Sequence, residues 1–186
     1  MARIPLPLPE EMTAEQRRVY DAVLAGPRGR FVGPLRAAIH RPELADKWQQ
    51  LGELLRFRTS LAPRLSELAI LVTARHWDSQ FEWHAHEPQA AKAGLAGAIV
   101  EAVRTGRRPA SLAPDEEAIY DYCTQLLESH AVAEEAYRRA HERFGTVGVV
   151  ELTALVGYYS MVAMTLNAHE IPLPEGGKPP LPPRPD

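Results

Sequence analysis

The chain has 186 residues, 45% apolar and 24% charged, which is enough to build the core of one ordinary domain. Its 21 basic residues are outnumbered by 24 acidic ones, for a net charge of −3, so no basic excess is available to grip a phosphate backbone and nucleic acid is not an expected partner. The longest apolar run, about residues 68–74, is far short of the ~20 residues of a membrane span, the proline-broken start M-A-R-I-P-L-P-L-P does not read as a secretory signal, and the single cysteine, Cys123, excludes an intrachain disulfide; no membrane and a cytoplasmic location are therefore expected.

Residues 1–12 are proline-rich and read as extended. Thr13 and Gln16 have the spacing of a capping box, and Val19, Tyr20 and Val23 follow at helical spacing up to a stop near Gly26-Pro27. Pro34 opens a short helix through Ile39. Pro42 starts a longer one, with Leu44, Trp48, Leu51, Leu54 and Leu55 as its expected apolar stripe. Pro63 reads as the first-turn proline of the next helix, which runs to about Trp77. Asp78-Ser79 marks a break and a fresh N-cap, followed by a helix over residues 80–92 that Gly94 ends, and another over residues 95–104. Residues 105–114, with Gly106, Pro109 and Pro114, read as a loop. Helices are then expected at about 115–128, 133–144 and 147–168, the last with Glu151 as its only ionisable group between Val147 and Leu166. A helix so apolar belongs in the middle of a bundle or at a subunit interface. From Ile171 the tail carries seven prolines in 16 residues and reads as extended. No strand alternation survives, so the expected fold class is all-α, one compact bundle over residues 1–186 with its helical core at 13–170 and a tail at 171–186. A short echo, E-L-A-I-L-V from Glu67 and E-L-T-A-L-V from Glu151, suggests two similar helices.

The chemistry is expected in residues 67–86, E-L-A-I-L-V-T-A-R-H-W-D-S-Q-F-E-W-H-A-H. With Ser79 at a helix N-cap, Ser79 and His86 lie about 20° apart in azimuth and Glu82 and His86 about 40°, at ~100° per residue, so all three share a face. Glu82 and His86, four apart, are close enough to hydrogen-bond. Ser79 sits where helix N–H groups are unpaired and the dipole is positive, a place for an anion. Glu67 reaches the same spot if its helix packs against the next as a hairpin. Each residue also has a plainer reading: Ser79-x-x-Glu82 is a capping box, Trp77 and Trp83 are core aromatics, and His76 is a helix C-terminal cation. His169, after Asn167, is either a substrate-binding residue near a pocket or another helix C-terminal histidine.

Glu67, Ser79, Glu82 and His86 fall at offsets 0, 12, 15 and 19. This arrangement resembles the AhpD-like superfamily, which holds the alkylhydroperoxidases and the carboxymuconolactone decarboxylases and whose hydroperoxidase branch carries Glu, Cys, Cys and His at those offsets. Ser79 and Glu82 stand at the two cysteine positions. The stretches R-L-S-E-L-A-I-L, F-E-W-H-A-H-E-P-Q-A-A-K-A-G-L and G-V-V-E-L-T-A-L-V-G-Y-Y, with the proline-rich end, are similar to the decarboxylase branch over about residues 45–170. Peroxide reduction of the hydroperoxidase type needs a low-pKa thiolate and a resolving cysteine. Cys123 lies on a different expected helix, so that activity is not expected even where the superfamily label would suggest it.

The resemblance implies a lyase acting on a small carboxylated lactone or keto acid without metal or organic cofactor. His86 would donate or accept the proton, Glu67 and Glu82 would orient it or relay protons, and Ser79, with His169, would bind the substrate. Three alternatives stand beside it. A metal could draw on Glu67, Glu82 and His86 from a pool that includes His76 and His84, although His84 and His86 point about 200° apart on a helix. Ser79 could be a nucleophile with His86 as base, or the chain could be a non-catalytic binder of a small acid. The resemblance further implies a trimer or hexamer, in keeping with the apolar helix at 147–168.

Overall fold

The computed structural model describes residues 1–174 and 176–183, and over these it is all-helical, with eight α-helices and no strand. By Cα proximity the chain divides into two compact units, one of Met1–Arg58 with Met164–Pro172, the other of Thr59–Ala163 with Leu173–Asp186.

The first unit is built on α1 (Ala14–Ala25), α2 (Pro34–Ala38) and α3 (Pro42–Phe57). The Thr13–Gln16 capping box forms as expected: the Gln16 N–H donates to Thr13 Oγ1 and the Thr13 N–H to Gln16 Oε1. Proline at the first turn starts α2 and α3, where its missing N–H costs nothing. The N-terminal segment is not wholly extended, because Pro9–Glu11 forms a single 3-10 turn. Pro5 and Leu6 carbonyls accept from His40 and Arg36 and tie that segment down. The buried face of α3 departs from the expected stripe. Ala45, Trp48, Gln49, Gly52 and Leu55 face inward, while Leu44, Leu51 and Leu54 are exposed. Small residues at 45 and 52 let α3 come close to α1 and α2, and that close approach outweighs the larger leucines one position away.

The second unit centres on α4 (Pro63–His76), which packs against α5 (Gln80–Lys92), α6 (Gly97–Arg104) and α7 (Pro114–Ser129). Nearly all of α4 from Leu65 to Arg75 is buried. It ends in a Schellman motif: the Ser79 N–H donates to Ala74 O and the Asp78 N–H to Arg75 O, with Asp78 at φ 48 in the left-handed region. Gly94, at φ 85, ends α5 by the same pattern, with Leu95 N–H to Ala90 O. That motif uses residues 94 and 95, so α6 starts at Gly97, two residues later than the sequence suggests. Arg64 on α4 is held by Asp115 and Glu116 at the start of α7.

The last helix, α8, spans Glu134–Ala168 and breaks at Gly145, which has φ 64 and ψ −178 and so joins two helical segments at the expected place. Gly148 is buried where an added Cβ would lie 2.5 Å from Phe144 Cβ. The Tyr122 hydroxyl pairs with Thr153 Oγ1 at 2.8 Å. Glu151 accepts from the Thr59 hydroxyl and from both the N–H and hydroxyl of Ser60. Burial raises the Glu151 pKa, but these bonds outweigh it and hold the carboxyl below its ordinary value. Contrary to the run-length argument, α8 is long and apolar enough to cross a membrane; half of its most apolar window is buried inside the protein, as in a bundle helix. It is not buried all round, because Val147 and Val150 are 64% and 62% exposed.

Candidate functional site

Glu67, Ser79, Glu82 and His86 all lie in the second unit, on α4, at the N-cap of α5 and on its inner face. That face is formed by Glu82, Trp83, His86 and Ala90, all buried, as the helical spacing requires. His86 Nδ1 lies 2.8 Å from Glu67 Oε2, and both side chains are largely out of solvent. A carboxylate can only accept, so in the neutral imidazole this pairing places the hydrogen on Nδ1 and the basic lone pair on Nε2. The hairpin of α4 and α5 thus joins Glu67 to His86 across 19 residues of sequence.

Two contacts that the spacing allows are not made. Glu82 does not pair with His86, and Ser79 and Glu82 do not form a capping box; the Ser79 side chain makes no cap hydrogen bond at all. Intrahelical spacing shows which residues share a face, but the imidazole turns toward the carboxylate offered by the neighbouring helix. Ser79 is 0% and Glu82 2% exposed. Ser79 Oγ and both Glu82 carboxyl oxygens have no hydrogen-bond partner among the described residues. Burial alone pushes the Glu82 pKa well above the ordinary carboxyl value, which favours its neutral form. A buried polar group left unpaired costs roughly 1–3 kcal/mol, and two side chains three residues apart carry that cost here.

The α5 N-terminus adds unpaired N–H groups beside Ser79, with Trp83 N–H the first to find a helical partner, Ser79 O. The site therefore offers hydrogen-bond donors, a neutral carboxylic acid and an oriented imidazole, a set suited to an anionic group and a proton transfer. Among the described residues no three His, Cys, Asp or Glu side chains gather to hold a metal ion. His84 is half-buried on α5, and His76 is the last residue of α4, its ring edge-on to Trp77. His169 belongs to the first unit, where its N–H donates to Thr165 O and its carbonyl accepts from the Arg3 N–H. Cys123 is buried on α7 and burial pushes its thiol pKa up, the reverse of what a reactive thiolate needs.

Sequence reasoning did not single out Tyr159. Its ring meets His86 edge to face, with centroids 5.0 Å apart, and Tyr158 packs on it in turn. The only sequence signal was a Tyr-Tyr pair on an otherwise apolar helix, which reads equally well as core. Two open cavities of the second unit lie away from these residues. One of about 250 Å³ is lined by Val72, Arg75, Val103, Tyr120 and Leu127 among others, and one of about 310 Å³ by Ile99, Arg108 and Pro109.

No protein-family model matches the sequence, and no curated protein does. Solved structures do match. One described as an alkylhydroperoxidase AhpD core, an uncharacterized peroxidase-related protein from Ralstonia eutropha JMP134, superposes with TM-score 0.76 at 17% identity over 94% of this chain and 93% of that one. An uncharacterized peroxidase-related protein from Silicibacter sp. TM1040 gives TM-score 0.77 at 14% identity over 94% and 92%. A protein of unknown function from Agrobacterium tumefaciens, described as a putative antioxidant defence protein AhpD, gives 0.67 at 15% identity over 74% and 95%. At these identities the likeness concerns architecture, and this chain has the AhpD-like fold.

Proposed function

We propose that the chain is a cofactor-independent lyase that carries out acid–base chemistry on a small carbon acid, with decarboxylation of a carboxylated lactone or keto acid as the reaction. The observation that carries this reading is the largely buried Glu67–His86 pair at 2.8 Å, on a helix whose N-capping serine is uncommitted. The substrate carboxylate leaves as CO2 when the bond to the adjacent carbon breaks. The electron pair is taken up as an enolate by the substrate's carbonyl, whose developing charge faces Ser79 and the first N–H groups of α5. His86 enters the step as the imidazolium, its Nε2 proton taken up from solvent and its charge steadied by Glu67; it gives that proton to carbon and is left as the neutral Nδ1–H tautomer that Glu67 holds. Glu82, as a neutral acid, donates a hydrogen bond to the same oxygen. His169 has no step in this scheme.

The peroxidase-related descriptions of the structural neighbours do not carry over to a thiol mechanism, because Ser79 and Glu82 stand where the resemblance places a cysteine pair and Cys123 is buried. The second reading, a non-catalytic binder of a small acid, draws on the unpaired donors alone. The two separate in one experiment: purified protein is screened for CO2 release from small lactone and keto acids, with His86→Gln as control. Turnover that disappears in the variant supports the lyase. Saturable binding of the acids with no turnover by the unsubstituted chain would make it a binder.

A further inference from the structure

We propose that the cavity of about 250 Å³ between α4, α6 and α7 is a second binding site, for a small monocarboxylate with an apolar body, held by Arg107 and Tyr120. It stands apart from the lyase reading, because Glu67, Ser79, Glu82, His86 and Tyr159 do not line it. On α4, Val72 and His76 lie about 140° and 180° in azimuth from Glu67, at ~100° per residue, so the cavity borders a different side of that helix from the Glu67–His86 pair.

The apolar lining sets the body of the ligand. Val72, Val103 and Leu127, one each from α4, α6 and α7, are buried against the cavity. At the ~30 Å³ that a water occupies in the liquid, the space holds roughly eight water-sized groups, about the size of benzoate.

The polar lining sets its charge. Arg75, His76 and Arg107 stand against one acidic residue, Glu128, which is exposed. Arg75 Nη1 is already engaged, by Asp78 Oδ1 at 3.2 Å and by Pro182 O at 2.9 Å, in the tail that Gln80 also holds through Leu181. Arg75 therefore contributes charge more than a bond, and Arg107 is the anchor. Arg107 follows the end of α6, its Nε donates to Thr105 Oγ1 at 3.1 Å, and no carboxylate pairs with it among the described residues. Its planar fork matches a carboxylate. Tyr120 supplies the second donor. Burial holds its phenol above the ordinary pKa, so the hydroxyl keeps its proton, and the Arg108 guanidinium lies over the ring at 5.3 Å and steadies it. Glu128 repels further negative charge, which favours a monocarboxylate over phosphate.

The test titrates the full-length chain with benzoate and follows the backbone amides by NMR. Saturable shifts centred on residues 103–107 and 120–128, with a Kd of about millimolar or tighter, are expected for a ligand of this size. Arg107→Ala should weaken binding roughly tenfold or more, and Tyr120→Phe roughly threefold or more, as one hydrogen bond to the carboxylate is lost in each. Arg107 also borders the cavity of about 310 Å³, so Ser111→Trp, which obstructs that cavity alone, is the control and should leave the affinity unchanged. Affinity that survives both Arg107→Ala and Tyr120→Phe, or is lost in Ser111→Trp, would overturn the proposal. So would phosphate binding as tightly as benzoate, or no saturation by benzoate. His86→Gln should leave the titration unchanged. If it abolishes binding, the acid sits at the Glu67–His86 pair, and the second site falls while the lyase reading stands; the titration reads no turnover, so failure of the lyase reading leaves its outcome untouched.

Discussion

Glu67, half-buried on α4, and Glu82, buried on α5, are treated in opposite ways by their surroundings. Glu67 meets an imidazole, whereas Glu82 meets nothing that hydrogen-bonds among the described residues. Glu82 therefore makes stability pH-dependent. Its folded pKa lies above the ordinary value of 4.5, so the folded chain holds a proton that the unfolded chain releases as pH rises past that value. Its stabilising contribution is complete below pH 4.5 and falls as pH climbs toward the raised pKa, by at most about 1.4 kcal/mol per pH unit. Glu82→Gln, which cannot ionise, should match the unsubstituted chain in urea melts at pH 4 and exceed it increasingly as pH rises above 5, until the raised pKa is passed. Parallel curves over that range would show that Glu82 is not held neutral. Of the proposed catalytic group, His86→Gln should lower turnover on an identified substrate by roughly 10²–10⁴-fold with the fold retained, the usual range for a lost general acid or base. Glu67→Gln should lower it less, because the imidazole stays and only its orientation and charge support are lost. The positions of these four residues were legible from their spacing; their pairing was not, because a helical wheel says nothing of what the next helix presents.

At the scale of elements, most helix boundaries follow from local chemistry. Thr13 caps, prolines at 34, 42 and 63 start helices, and Gly94 stops one. The face that each helix buries follows less directly, as the exposed leucines of α3 show. Gly145 is a position where the backbone leaves little choice. At φ 64 and ψ −178 it occupies a region that only glycine enters easily, although the space around its missing Cβ is open. Gly145→Ala should therefore cost about 1–3 kcal/mol in urea unfolding through backbone strain alone. An unchanged midpoint would mean that the break in α8 survives in another conformation. Asp78, left-handed between α4 and α5, carries a milder version of the same strain, and its carboxylate is 3.2 Å from Arg75. Asp78→Gly relieves the strain and removes that ion pair, so its net effect on stability should stay within about 1 kcal/mol.

At the scale of the whole molecule, the exposed apolar positions of α8 bear on assembly. Val147 and Val150 sit one turn apart, and Ala154 and Gly157 continue the line at spacings of three and four. A trimer or hexamer that buries this line is proposed. Light scattering of the unsubstituted chain should give such a mass, and Val150→Glu should lower it; a monomer for the unsubstituted chain would exclude the assembly. The sequence by itself determined the all-helical class, most helix starts and stops, and the shared helix face of Glu82 and His86, because capping, proline and the 3.6-residue period act over a few residues. Only the tertiary structure decided that Glu67 rather than Glu82 holds His86, that Tyr159 closes on its ring, that Glu82 and Ser79 are sealed without partners, and that the tail is pinned at Gln80. Each of these joins residues far apart in the chain, and which of several competing partners is reached depends on how neighbouring helices pack.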